Sequence, residues 1–177
     1  MYYSRKPNRV GGGARTNENG LGFEGRVSLI EAINRHEAMT VENGDIFLHG
    51  NQVGRYREKH TFYKNFLDDL NVDWRNRISK KYLPDAVIIN DHDKVVFVVE
   101  KKYQAGGGSV DEKLQTCDFK RKIYQRLLED TEYDVEYYYL LNSWYERPEY
   151  DDVKKYIKSV GCDFFIDSID LKSFGFL

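Results

Sequence analysis

"LPDAVIINDHDKVVFVVEKK", Leu83 to Lys102, contains two apolar runs, Ala86–Ile89 and Val95–Val99, separated by "NDHDK". The polar break is a turn signal, so the stretch reads as a β-hairpin reversing near His92 and Asp93. Five consecutive apolar residues in the second arm imply a strand covered on both faces. Yet acids stand at the open end. If Asp91 faces Lys94, Asp85 lies directly opposite Glu100, with Lys102 two residues on and on the same face. A register slip of two would set Asp85 opposite Lys102 and keep the three groups together; a slip of one would separate them. Two carboxylates about 4 Å apart repel by about 4 kcal/mol at an effective dielectric of about 20. Lys102 compensates part of that, and a divalent cation would compensate more. Mg2+ prefers one or two carboxylates, water and a substrate phosphate.

Outward from the hairpin, the apolar positions Phe23, Val27, Ile30 and Ile33 recur at helical spacing and predict a first amphipathic helix to about His36. "DIFLHG" (Asp45 to Gly50) reads as a short strand. Arg57 to Leu70 reads as a second helix with Phe62, Phe66 and Leu70 on one stripe. After the hairpin, "GGGS" (Gly106 to Ser109) precedes a long helix from Asp111 to Glu129, with Leu114, Cys117, Tyr124 and Leu128 facing inward. A strand over Tyr133–Leu141, a helix over Tyr150–Val160 and a last strand over Cys162–Ile166 complete the order. The expected fold class is α/β, a mixed central sheet with helices on both faces.

A chain of 177 residues suits one well-buried domain. Residues 1–20 hold four glycines among Arg5, Lys6, Arg9 and Arg15, which reads as a flexible basic N-terminal arm, leaving 21–177 as the single domain. No run of about 18 apolar residues and no leader-like segment occurs, so the expectation is a cytoplasmic protein that does not engage a membrane. Cys117 and Cys162 form no CxxC, and His36, His49, His60 and His92 do not cluster, so neither a disulfide framework nor a histidine metal site is expected. The net charge of −2 hides an asymmetry: residues 1–81 carry 14 Lys/Arg against 10 Asp/Glu, and residues 82–177 carry 13 against 19. The basic runs "RNRISKK" (Arg75, Arg77, Lys80, Lys81) and "FKRKIYQR" (Lys120 to Arg126) flank the hairpin in sequence and suit phosphate contacts. For base contacts the polar clusters to inspect are Arg15, Asn17 and Asn19, and Asn51, Gln52 and Arg55.

Pro84-Asp85, a hairpin, then Glu100-Lys101-Lys102 resembles the signature of the PD-(D/E)XK nuclease superfamily, and within it the small type II restriction endonucleases. The acid-x-Lys half is weak alone, since it recurs at Asp111, Asp118, Asp152 and Asp170; Glu100 is distinguished by ending an apolar strand that hairpins back to Pro-Asp. The resemblance implies a restriction-endonuclease-like αβββαβ core, with an extra helix inserted before the Pro-Asp strand. It further implies that Asp85, Glu100 and the backbone carbonyl of Lys101 hold Mg2+, with Mn2+ able to substitute, and that Lys102 orients or activates the attacking water. "GLGFEGRVSLIEAI" resembles the family's first helix, making Glu24 the favoured further carboxylate and Glu31 the runner-up. The family's Gln or Lys on the following helix matches Lys113, Gln115 or Lys120, with no choice among them. The implied activity is sequence-specific hydrolysis of double-stranded DNA by a C2 homodimer. The rivals are a Holliday-junction resolvase, homing or repair nuclease of the same fold, and a non-catalytic DNA-binding module on a decayed one.

Overall fold

In the computed structural model, which describes residues 28–106 and 110–177, the hairpin forms in the expected register. Strands β4 (Ala86–Asn90) and β5 (Val95–Lys102) pair antiparallel, with Ala86 opposite Val99 and Asn90 opposite Val95. Asn90 builds the turn. Its Oδ1 accepts from the amides of His92 and Asp93 at 3.0 and 2.9 Å, its Nδ2 donates to Asp93 and to the Phe174 carbonyl, and Lys94 closes the reversal at φ 57°. All five residues of β4 are buried, as a strand covered on both faces requires.

Five further strands extend this hairpin into a seven-stranded mixed sheet whose spatial order follows the chain, β1 to β7. On one side stand β1 (Met39–Glu42), β2 (Asp45–Leu48) and β3 (Asn51–Arg57), all antiparallel to their neighbours. On the other, β6 (Asp134–Leu141) and β7 (Asp163–Ile166) run parallel, β6 to β5 and β7 to β6. Parallel neighbours need crossovers, and helices supply them. Helices α3 (Val110–Leu114) and α4 (Cys117–Leu128) link β5 to β6, and α5 (Asp151–Ser159) links β6 to β7.

Strand alternation sorts the core into two halves. Val87, Ile89, Val96, Val98, Tyr137 and Tyr139 point to one face, where α4 contributes Ile123, Tyr124 and Leu127 and α5 contributes Ile157. The same half receives Phe62, Tyr63, Phe66 and Leu67 from α2, which opens as α-helix (Lys59–Thr61) and continues as π-helix (Phe62–Leu67). Ala86, Ile88, Phe97 and Val99 point to the opposite face, covered by Leu29 and Ile33 of α1 (Leu29–Asn34) and by Ile169, Leu171, Phe174 and Phe176.

The structure departs from the sequence expectations in two places. The helix expected over Asp111–Glu129 is broken: the Thr116 hydroxyl donates to the Lys113 carbonyl at 2.7 Å, closing α3, and α4 starts afresh at Cys117. Of the first helix, the described part is Leu29–Asn34, and the N-terminal arm and the earlier positions of that helix lie outside the described residues. Around the single strand expected at Asp45 the structure has three, joined by two-residue turns at Asn43-Gly44 (φ 53° and 84°) and His49-Gly50 (φ 50° and 81°). No helix among the described residues is long and apolar enough to cross a membrane.

Candidate active site

Alternation places Asp85, Glu100 and Lys102 on the face that carries Val87, Val96 and Val98. That is also the face on which α4 packs. Asp85 sits at the mouth of β4, and its Oδ2 accepts from the backbone amide of Lys101 at 2.9 Å, which fixes it across from the end of β5. Glu100 is 4% exposed, a burial that a carboxylate tolerates only when paired. Two ammonium groups pair it: Lys102 Nζ and Lys120 Nζ each lie 3.0 Å from Glu100 Oε2. Lys102 Nζ also donates to the Lys101 carbonyl at 3.1 Å and lies 3.9 Å from Asp85 Oδ2.

One ammonium thus stands within 3.9 Å of three oxygens: the Asp85 carboxylate, the Glu100 carboxylate and the Lys101 carbonyl. The Lys102 ammonium acts there as a stand-in cation, and its surroundings are a test of what ion the site could take. Among the described residues no group of three or more His, Cys, Asp or Glu comes together, so the donor set is two carboxylates and a carbonyl, all hard oxygens. That set fits Mg2+, which completes its shell with water and phosphate, and holds none of the His or Cys donors on which Zn2+ sites are built.

A layer of tyrosines lies beneath Glu100. Tyr139 is its register neighbour on β6, and Tyr137 and Tyr124 stack at 6.5 Å between centroids. Burial pushes the Tyr124 and Tyr137 phenols well up, and the Glu100 charge adds to it. Burial likewise raises Tyr139, whose hydroxyl donates to the Lys113 carbonyl at 3.2 Å. The phenols stay neutral and give Glu100 a water-poor wall, in which the pairing with lysine or a metal counts for more than it would in water. Sequence reasoning missed this layer, although Tyr137 and Tyr139 alternate onto one face of an evident strand.

Of the three helix candidates, Lys120 is the one whose ammonium reaches Glu100, while Lys113 and Gln115 are exposed near the α3–α4 break. Arg55 is not brought to the cluster. It lies at the turn end of the hairpin, held by Asp91 through Nε at 3.1 Å and Nη2 at 2.5 Å, by the Tyr133 hydroxyl, and over the Phe66 ring. Arg77 is drawn to the C-terminal end of α4 by Asp130 at 3.0 Å and the Arg126 carbonyl. Arg75 is exposed beside Asp73 and Trp74; Lys80 and Lys81 lie over Tyr82 and over Tyr63 and Trp74, in the segment leading to Asp85. Glu24, Arg15, Asn17 and Asn19 lie outside the described residues, and Glu31 is exposed and paired with Arg35. No protein-family model matches the chain, and neither does any curated protein.

Proposed function

We propose that the protein is a Mg2+-dependent endonuclease that hydrolyses phosphodiester bonds of double-stranded DNA, in the manner of a type II restriction enzyme. The observation that carries the reading is the convergence of Asp85, Glu100 and the Lys101 carbonyl on the Lys102 ammonium at the end of a buried hairpin. A second support is the order of elements: β3, β4 and β5 antiparallel, then α4, then β6 parallel to β5, which is compatible with the αβββαβ core that the sequence resemblance implies.

In this reading Asp85, Glu100 and the Lys101 carbonyl hold Mg2+, which when bound polarises the scissile phosphate and offsets its developing charge. Lys102 orients or activates the attacking water, whose proton is released to solvent. Water oxygen bonds to phosphorus as the P–O3′ bond breaks, leaving a 5′-phosphate and a 3′-hydroxyl. Lys120 pairs with Glu100 and adds a second cation to the cluster. Cutting both strands of a duplex in one encounter needs two such sites, which a C2 homodimer provides.

The test is digestion of unmodified plasmid and phage DNA in Mg2+ with wild type, Glu100→Ala and Lys102→Ala. Discrete fragments from wild type, with losses of about 10²–10⁴-fold in both variants, are the expected result. Absence of cleavage by wild type on duplex, junction and single-stranded DNA would overturn the reading.

A further inference from the structure

Close in the chain to residues of the carboxylate cluster stand exposed apolar side chains that the hydrolytic chemistry does not use. Four large hydrophobic side chains are exposed among the described residues, Leu83, Phe119, Tyr156 and Leu177. Two of them flank the site in the chain, Leu83 two residues before Asp85 and Phe119 one before Lys120. Phe119 is 53% exposed although it stands on α4, whose inward positions are fully packed. Tyr82 props it edge to face, with ring centroids 5.7 Å apart at 71°.

The prop is itself rigid. The Tyr82 carbonyl accepts from the hydroxyls of Tyr63 and Tyr124 at 2.8 and 2.9 Å, and its amide donates to Tyr63 Oη at 3.0 Å. Burial raises the Tyr63 phenol to about 12, so both partners remain donors through the neutral range. Lys80 Nζ lies 5.2 Å from the Tyr82 ring centre, and Lys120 stands next to Phe119 in the chain. An aromatic face one residue from Lys120, propped by a ring three residues before Asp85 over which Lys80 lies, is complementary to a flat π-system attached to a phosphate chain.

We propose that Phe119 is a stacking platform for an unpaired or flipped-out base next to the scissile phosphate, with Lys80 contacting the adjoining backbone. The proposal rests on the nuclease reading and deepens it by naming a feature of the substrate: a nucleotide displaced from the duplex. Extruding a base costs unstacking energy, and the ring returns part of it by stacking, so a site that bends or unpairs DNA is favoured over a regular duplex.

The experiment compares wild type, Phe119→Ala and Phe119→Trp for binding, in EDTA, to a regular duplex and to the same duplex with one unpaired 2-aminopurine; plasmid cleavage in Mg2+ is measured alongside. Expected are quenching of 2-aminopurine fluorescence by wild type and Phe119→Trp, and about tenfold weaker binding of the bulged DNA by Phe119→Ala, with regular-duplex binding changed less. Equal binding and quenching by Phe119→Ala and wild type, with wild-type cleavage intact, would overturn the platform and leave the nuclease reading standing. Quenching that depends on Phe119 without any Mg2+-dependent cleavage would retain the platform and sink the nuclease reading. A change in self-association of Phe119→Ala without any effect on DNA would assign Phe119 to contact with a second copy of the chain and overturn the proposal.

Discussion

Glu100 accepts two ammonium groups on a single oxygen, and this concentration of charge makes the cluster sensitive to each partner separately. Lys102 lies within 3.9 Å of all three candidate metal ligands, whereas Lys120 pairs with Glu100. Lys102→Met is therefore expected to abolish cleavage, and Lys120→Met to weaken it by a smaller factor, about 10–100-fold, readable as kcat/KM under single-turnover conditions. Metal binding has its own readout. An ion that binds the folded state alone stabilises it by about 2.7 kcal/mol at a hundredfold excess over Kd. Thermal unfolding of wild type should shift upward on adding Mg2+, and that of Asp85→Asn should not. Equal shifts in both proteins would remove Asp85 from the ligand set. The pairing of Asp85 with Glu100 could be read in advance because side chains alternate along a strand and the turn sets the register. Lys120 could not be separated from Lys113 and Gln115, because all three are polar positions of one expected helix and only the docked structure shows which ammonium reaches Glu100. The inward set Leu114, Cys117, Tyr124 and Leu128 is buried on both sides of the break at Thr116, as expected.

The β2–β3–β4 segment shows how two glycines of one strand pair answer to different constraints. Gly50 sits at φ 81° with open space around its Cα, so Gly50→Ala meets only the left-handed backbone penalty, about 1 kcal/mol. Gly54 has an ordinary φ, but a β-carbon there would run into the Ile89 carbonyl of the neighbouring strand and stand 2.8 Å from the Phe176 ring. Gly54→Ala must therefore part β3 from β4 or displace the C-terminal aromatic, at about 1–3 kcal/mol or more. Thermal melts of the two variants should rank Gly54→Ala as the more destabilised; the reverse order would mean that the close approach relaxes freely. The two N-terminal hairpins were legible in principle. Asn43-Gly44 is a strong two-residue turn signal, and both of its residues take the positive φ that such a turn demands. What hid the flanking strands is their shortness and partial exposure: β1 and β2 are four residues each, with one fully buried side chain apiece, too little for a period of two to stand out.

Across the whole molecule the tyrosines link stability to alkali. Tyr63, Tyr124, Tyr137 and Tyr139 are all buried, and burial raises each phenol above the value near 10 of an unfolded chain. Above pH of about 10 the unfolded chain ionises these groups and the native protein does not, so protons are lost on unfolding. Stability then falls with pH, by up to about 1.4 kcal/mol per pH unit for each tyrosine, and is fully present below that range. Urea titrations at pH 8 and pH 11 should differ accordingly, and Tyr137→Phe should lessen the difference; a flat profile would mean that the phenols ionise in place. The order of the sheet also has a temporal side. Because each strand lies beside its predecessor in the chain, the sheet can grow by local additions as synthesis proceeds, without waiting for a distant partner. Asp85 and Glu100 meet as soon as the β4–β5 hairpin closes, but Lys120 and the tyrosine wall arrive only when α4 and β6 dock. A nascent chain halted after β5 carries its two acids with Lys102 as their partner and gains Lys120 only once α4 docks, so the electrostatic balance of the cluster is among the last things that synthesis completes.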